Sequence, residues 1–193
     1  DGNDSHGSNN LTNNNGVTFV ANTATKDGNA ASFVVGSAES LTKASFETGL
    51  TTAATWVLWL NPSDFASYRV PLSKWLYATA GEWAIEVQPA PDTGKVRFYV
   101  ANALTDGGSN YVTTTEALTA GVWNSAIITY DGSLSAPDRV AIYLDGVAAT
   151  LTVTGTIPAS LQSSPNAALT FGNFSGGLNR PYGGLTDAPL IYS

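Results

Sequence analysis

Apolar residues along this chain fall in short alternating runs, punctuated by glycine, proline, asparagine and aspartate. Successive side chains of a strand point to opposite faces, so each run predicts a strand and each punctuation a turn. Strands are expected at 16–21, 31–35, 54–61, 83–88, 95–101, 122–130, 139–145, 148–154, 169–173 and 184–192. In 54–61, Trp56, Leu58 and Leu60 share one face while Val57 and Trp59 share the other. Both faces are apolar, which predicts a central strand covered on both sides; Ala126, Ile128 and Tyr130 against Ile127 read the same way. The expected core includes Trp56, Leu58, Leu60, Trp123, Ile128, Ile142 and Leu144, with Trp59 also packed inside. Asp145-Gly146, between two strong runs, predicts a tight hairpin. No apolar pattern of helical period exceeds about a turn, and no heptad or internal repeat occurs. The chain is therefore all-β, a sandwich or barrel of antiparallel sheets.

The first fifteen residues, DGNDSHGSNNLTNNN, break this pattern with one aliphatic residue among many turn formers. They predict an irregular N-terminal arm or loop over 1–15, ahead of a single domain over 16–193. Opening at Asp1 without Met, the chain reads as a processed or excised piece. Charged residues make up only 12% of it, and polarity comes from Thr, Ser, Asn and Gly, which suit strands and turns. A net charge of −7 with eight cations cannot supply the basic stripe that phosphate backbones require, so a nucleic-acid partner is not expected. No apolar run is long enough to insert into a membrane. The absence of cysteine removes disulfides, thiol catalysis and Cys-ligated zinc. Sequons at Asn3, Asn10 and Asn173 arise readily by chance in so Asn-rich a chain.

Several segments resemble one family. Gly121-Val122-Trp123-Asn124 through Tyr130-Asp131-Gly132 is similar to the "W-h-h-v-a-v-t-y-D-G" segment of laminin-G-like, concanavalin A-like jelly rolls. Val140-Ala141-Ile142-Tyr143-Leu144-Asp145-Gly146 follows like that family's "v-x-l-Y-v-D-G". Leu169 to Asn173 and Tyr182 to Asp187 resemble its two closing segments. The stretch from Ala54 to Pro62 resembles its tryptophan strand, and Asp1 to Gly7 its opening turn. The resemblance spans nearly the whole chain in order and implies a jelly-roll sandwich of two stacked antiparallel sheets. Asn124 or Ser125 stands where the family has His, and Ala188 replaces its second closing Asp.

Candidate chemistry is sparse. The single His, His6, lies in the opening segment, away from the rigid support a triad needs. Glu82 and Glu86 share one strand, with Cα atoms roughly 13 Å apart at about 3.3 Å per residue, too far for a retaining glycosidase pair. The E-x-D-x-x-E run of related glycosidases and the R-x-E-x-R and Q-I-H patterns of jelly-roll lyases do not occur. The chain is therefore expected not to be an enzyme. Calcium takes six to eight oxygens, and the resemblance brings Asp1, Asn3 and Asp4 close to Asp187 around a structural ion. Sugar recognition uses aromatic faces with polar groups beside them. The aromatics outside the strongest core strands are Tyr68, Trp75, Tyr77, Tyr111, Phe174 and Tyr182, with Arg69, Asn110, Asn179 and Arg180 as polar neighbours. Tyr182, Arg180 and Asn179, with Trp75 and Tyr77 next, are the expected ligand-binding residues, because Gly and Pro around them predict loops.

The expected role is a non-catalytic carbohydrate-binding or adhesion module of an extracellular, cell-surface or virion-surface protein, taking a poly- or oligosaccharide. The alternative is a structural surface or assembly domain, such as a viral capsid decoration or fibre, packing on neighbouring subunits. An exposed aromatic patch favours the first, and a flat apolar face the second.

Overall fold

The structure, a computed structural model, describes residues 10–21, 28–44, 46, 50–76, 80–101, 108–164, 166–175 and 180–192. Fifteen strands form in chain order: β1 (Thr12–Asn14), β2 (Thr18–Ala21), β3 (Asn29–Phe33), β4 (Ser40–Lys43), β5 (Ala53–Pro62), β6 (Arg69–Leu76), β7 (Ala80–Val87) and β8 (Lys95–Val100). There follow β9 (Tyr111–Ala117), β10 (Asn124–Asp131), β11 (Val140–Leu144), β12 (Val147–Ala148), β13 (Leu151–Thr154), β14 (Leu169–Phe171) and β15 (Gly184–Tyr192). Helix among the described residues is limited to two single 3-10 turns. One sheet runs β1-β4-β14-β6-β7-β8-β9-β13 and the other β12-β11-β10-β5-β15-β3-β2. All strand pairings are antiparallel, as expected for a jelly-roll sandwich.

The alternation in β5, β10 and β11 builds the core. Trp56, Leu58 and Leu60 register with Ile128, Ala126 and Asn124, and Ile128 and Ala126 register in turn with Ile142 and Leu144. This apolar row faces Trp83, Ile85 and Val87 of β7 and Val96, Phe98 and Val100 of β8. At its centre Trp56 packs against Trp83 and Phe98, with ring centroids 5.1 and 4.8 Å away. The Asp145-Gly146 hairpin forms as expected. Both residues have positive φ, 50° and 79°, the type I′ geometry whose twist matches the flanking strands.

The structure departs from the pattern reading in several places. β5 is central, between β10 and β15, but only one of its faces enters the core. Val57 and Trp59 on its other face are half-buried, and so are Ile127 and Trp123, because no third layer among the described residues covers them. The single strand expected at 148–154 divides: β12 ends in one sheet and β13 begins in the other, so this segment turns the corner of the sandwich. Within the expected arm, residues 12–14 form β1, an edge strand on β4; residues 1–9 lie outside the described residues. β4, β6 and β9 carry too many polar residues to show an apolar run.

β6 shows why. Its Lys74 lies opposite Trp83 and is fully buried. The Lys74 ammonium donates to Glu82 Oε1 at 2.6 Å and to the Ser164 carbonyl at 2.7 Å, while the Ser164 amide donates to the same Glu82 oxygen at 2.7 Å. A register shift in the β6–β7 ladder places Glu82 beside Lys74. Two buried charges thus fasten the 155–168 connection to the sheet. The Asn173 sequon is closed to glycosylation: the side chain is buried, and its Oδ1 accepts the Phe174 amide at 2.8 Å.

Candidate functional site

The outer face of the eight-stranded sheet carries a polar and aromatic cluster. Alternation produces it: β8 turns Val96, Phe98 and Val100 inward, so Lys95, Arg97 and Tyr99 point outward. On β7, Ile85 and Val87 face the core and Glu86 faces out; on β9, Tyr111 and Thr113 register with Tyr99 and Arg97. Beneath these groups a second apolar cluster of Val70, Trp75, Ala84, Ala101 and Phe174 fills the floor, with Tyr99 packed against it. Trp75 lies flat across Gly81, where a Cβ would come within 2.3 Å of the indole, so the glycine is what admits the ring.

Glu86 is the centre of this face. Its side chain is fully buried and accepts Gln88 Nε2 at 2.6 Å and the Tyr99 hydroxyl at 3.0 Å on Oε1, while Oε2 is ion-paired with Arg180 Nη1. Buried carboxylates are tolerated when they are paired and hydrogen-bonded, as here. Arg97 continues the network outward: Nη1 donates to the Tyr99 hydroxyl at 3.2 Å and Nε to Thr113 Oγ1 at 3.1 Å. Its guanidinium lies over the Tyr111 ring at 4.3 Å, and the Tyr99 and Tyr111 rings are 5.3 Å apart. Burial, and then the Glu86 carboxylate, push the Tyr99 hydroxyl up, so it stays protonated and donates. Burial works against the charged forms of Arg97 and Arg180, but Tyr99 beside Arg97, and Glu86 beside Arg180, outweigh it and hold both guanidiniums above their ordinary value.

Arg180 is positioned by its backbone. Its carbonyl accepts the Val70 amide at 3.1 Å, and Pro181 bridges to Val70 alongside β6. The guanidinium then reaches Glu86, lying 4.5 Å over Tyr68 and 5.6 Å from Phe174. Tyr68 is 40% exposed, on a loop that Arg69 ties down through Asp64 at 2.6 Å and Ser67 at 2.6 Å.

The five expected ligand-binding residues separate. Arg180 sits in the cluster. Trp75 is beneath it, buried as floor rather than presented. Tyr182 is a core residue: it is fully buried, edge-on to Phe33 at 6.1 Å, and its hydroxyl donates to the Leu185 carbonyl at 3.1 Å. Gly and Pro around it predicted a displayed loop, but the chain turns Tyr182 inward just before Gly183 and Gly184 lead into β15. Asn179 and Tyr77 lie outside the described residues. Arg97, Tyr99 and Glu86 were not singled out as binding residues, although the alternation Lys95-Val96-Arg97-Phe98-Tyr99-Val100 places the first two on one face. Glu82 and Glu86, weighed above as a catalytic pair, are held in separate ion pairs, with Lys74 and with Arg180.

Of the expected calcium ligands, Asp187 is buried on β15, just before a shift in its register with β5. Asp1, Asn3 and Asp4 lie outside the described residues, and among the described residues no three acidic or histidine side chains gather as a metal site. No described helix is long and apolar enough to cross a membrane.

No curated protein matches the sequence. Among solved structures, domain 4 of AbnA, a GH43 extracellular arabinanase from Geobacillus stearothermophilus in complex with arabinotriose, is similar over 95% of this chain and 82% of that one (TM-score 0.62, 18% identity). The CBM40 of the Ruminococcus gnavus IT-sialidase, bound to α2,3 sialyllactose, is similar over 74% of this chain and 76% of its own (TM-score 0.57, 13% identity). Mouse laminin α1 domains LG4-5 match over 79% of this chain and 37% of theirs (TM-score 0.52, 14% identity). At these identities the likeness is one of fold. A family model matches residues 35–193, and with it the chain belongs to the concanavalin A-like lectin/glucanases superfamily.

Proposed function

We propose that this chain is a non-catalytic carbohydrate-binding module of an extracellular or surface protein, and that it binds glycan on the outer face of the eight-stranded sheet. The supporting observation is the cluster of Tyr68, Tyr99 and Tyr111 held around Glu86 and two arginines by side-chain hydrogen bonds and stacking. Sugar rings stack their CH faces on such rings while charged and amide groups take the hydroxyls. The network is formed before any ligand arrives, so binding does not have to order it. The likeness to domains whose structures hold arabinotriose and sialyllactose supports the same reading. With its one central carboxylate committed to Arg180, the face has recognition groups rather than an acid/base pair.

Weak binding is expected, with Kd from roughly millimolar to tens of micromolar. Tyr68→Ala and Tyr111→Ala are each expected to weaken it about 2- to 12-fold, at about 0.5–1.5 kcal/mol per ring. The check is affinity electrophoresis in a panel of polysaccharide gels, with melting curves to show that both variants fold. If no polysaccharide retards the protein and it self-associates instead, the half-buried apolar row of Val57, Trp59 and Ile127 carries the function as an assembly surface.

A structural calcium between Asp187 and Asp1, Asn3 and Asp4 belongs to the same proposal. A chelator is then expected to lower Tm for the wild type and to leave Tm of Asp187→Asn unmoved. An unshifted wild-type curve would leave Asp1, Asn3 and Asp4 as turn formers and Asp187 as a buried strand residue.

A further inference from the structure

The cations of this acidic chain are not equally occupied. Arg69, Lys74, Lys95 and Arg180 each face a carboxylate at ion-pair distance. Arg139 donates from Nε to the Leu134 carbonyl at 2.9 Å and the Gly132 carbonyl at 3.3 Å, and from Nη1 to the Ile157 carbonyl. Arg97 faces Glu86 across the β7–β8 ladder, and that carboxylate acts on it electrostatically without coming to ion-pair distance. Arg97 donates only to the neutral Thr113 and Tyr99 oxygens, and its Nη2 makes no hydrogen bond among the described residues. On this face Asp92 pairs with Lys95, while Glu86 is ion-paired with Arg180 and also faces Arg97, so the Glu86–Arg180–Arg97 group keeps one net positive charge in a protein of net charge −7.

That surplus is also held ready. Nε and Nη1 are anchored, the planar group lies on Tyr111, and the side chain is half-buried, so the free edge has a fixed direction. Little rotamer entropy remains to be lost on binding. A planar guanidinium edge beside an aromatic surface matches a carboxylate carried on a sugar ring. Neutral sugar hydroxyls would leave the net positive charge of the Glu86–Arg180–Arg97 group in place.

We infer that the glycan bound on this face is acidic, a carboxylated pyranose whose carboxylate pairs with Arg97 while its ring lies against Tyr99 and Tyr111. The inference rests on the proposed glycan-binding reading of the same face. Two sources share this chemistry, hexuronate polymers and sialic-acid polymers. The probes are therefore polygalacturonate and alginate for the first, colominic acid for the second, each beside its carboxyl-reduced form, with arabinan as the neutral polymer.

Wild-type protein is expected to bind at least one acidic polymer, and at least about tenfold more tightly than the carboxyl-reduced form, with affinity falling as ionic strength rises. Arg97→Gln is expected to lose about tenfold or more on that polymer, and Arg97→Lys to lose less. The carboxyl-reduction comparison uses the wild type alone, so it holds even if a variant folds poorly. Equal binding of acid and reduced forms, or binding to arabinan alone, would overturn the acidic ligand and leave the glycan site standing. Binding to none of these polymers, together with no binding in the wider polysaccharide panel, would remove both.

Discussion

Lys74→Met is expected to destabilise the protein by about 3–5 kcal/mol, because it leaves Glu82 as a buried charge without its cation. For a domain of this length that is a fall in Tm of roughly 6–20 °C. The ammonium is fully buried and its bonds to Glu82 and to the Ser164 carbonyl are both lost, so the 155–168 connection loosens as well. The double variant Lys74→Met/Glu82→Leu is expected to recover most of the loss, since apolar side chains of similar size often replace a buried ion pair without cost. In the single variant a protonated Glu82 tolerates burial better than an ionised one, so the deficit should be smaller in mildly acidic buffer. Urea titrations of the two variants and the wild type measure all of this. A single-variant loss under about 1 kcal/mol would mean that water reaches the pair.

Trp56→Ala is expected to cost about 3–5 kcal/mol, the range for deleting a large aromatic from a packed core. Trp56 is fully buried between Trp83 and Phe98 on the central strand of its sheet, so the cavity has two rigid rings as walls and cannot collapse. Trp56→Phe separates size from polarity. The indole Nε1 is buried without a hydrogen-bond partner among the described residues, so phenylalanine removes an unsatisfied donor while keeping most of the ring. Its loss should be well under half that of alanine. Comparable losses would show that the full indole outline matters more than the donor.

What the sequence disclosed follows from which forces leave a periodic trace. Burial on one face does, and the inward rows of β5, β10 and β11 were legible together with the Asp145-Gly146 turn. Whether a second apolar face is covered leaves none, so Trp59 and Trp123 were assigned to the core when the sandwich leaves them half-buried. Buried polar residues erase the trace. β6, Arg-Val-Pro-Leu-Ser-Lys-Trp-Leu, was invisible because its lysine points inward to Glu82, a partner that depends on a register shift between two strands. Tyr182 failed for a related reason: glycine neighbours mark a chain that turns, not which way the ring turns. The proposed face was half legible. Arg180 stands among the residues expected from its loop, whereas Glu86, Arg97 and Tyr99 come together only once β7 and β8 are paired, which sets Arg97 opposite Glu86 and brings the Tyr99 hydroxyl within reach of it.

The order in which the strands are synthesised is not the order in which they pair. β15 lies between β5 and β3, and β14 between β4 and β6, so the last strands made are interior strands of both sheets. A nascent chain emerging from the ribosome can pair β6 through β9, and β5 with β10 and β11, but it holds β1 to β4 apart from both sheets until the C-terminal segment is free. Pairing of β1 to β4 with either sheet is therefore expected to wait until β14 and β15 have emerged. Premature-termination products of this chain would carry unpaired edges on β5 and β6, the kind of edge that recruits other chains and invites aggregation and proteolytic clearance.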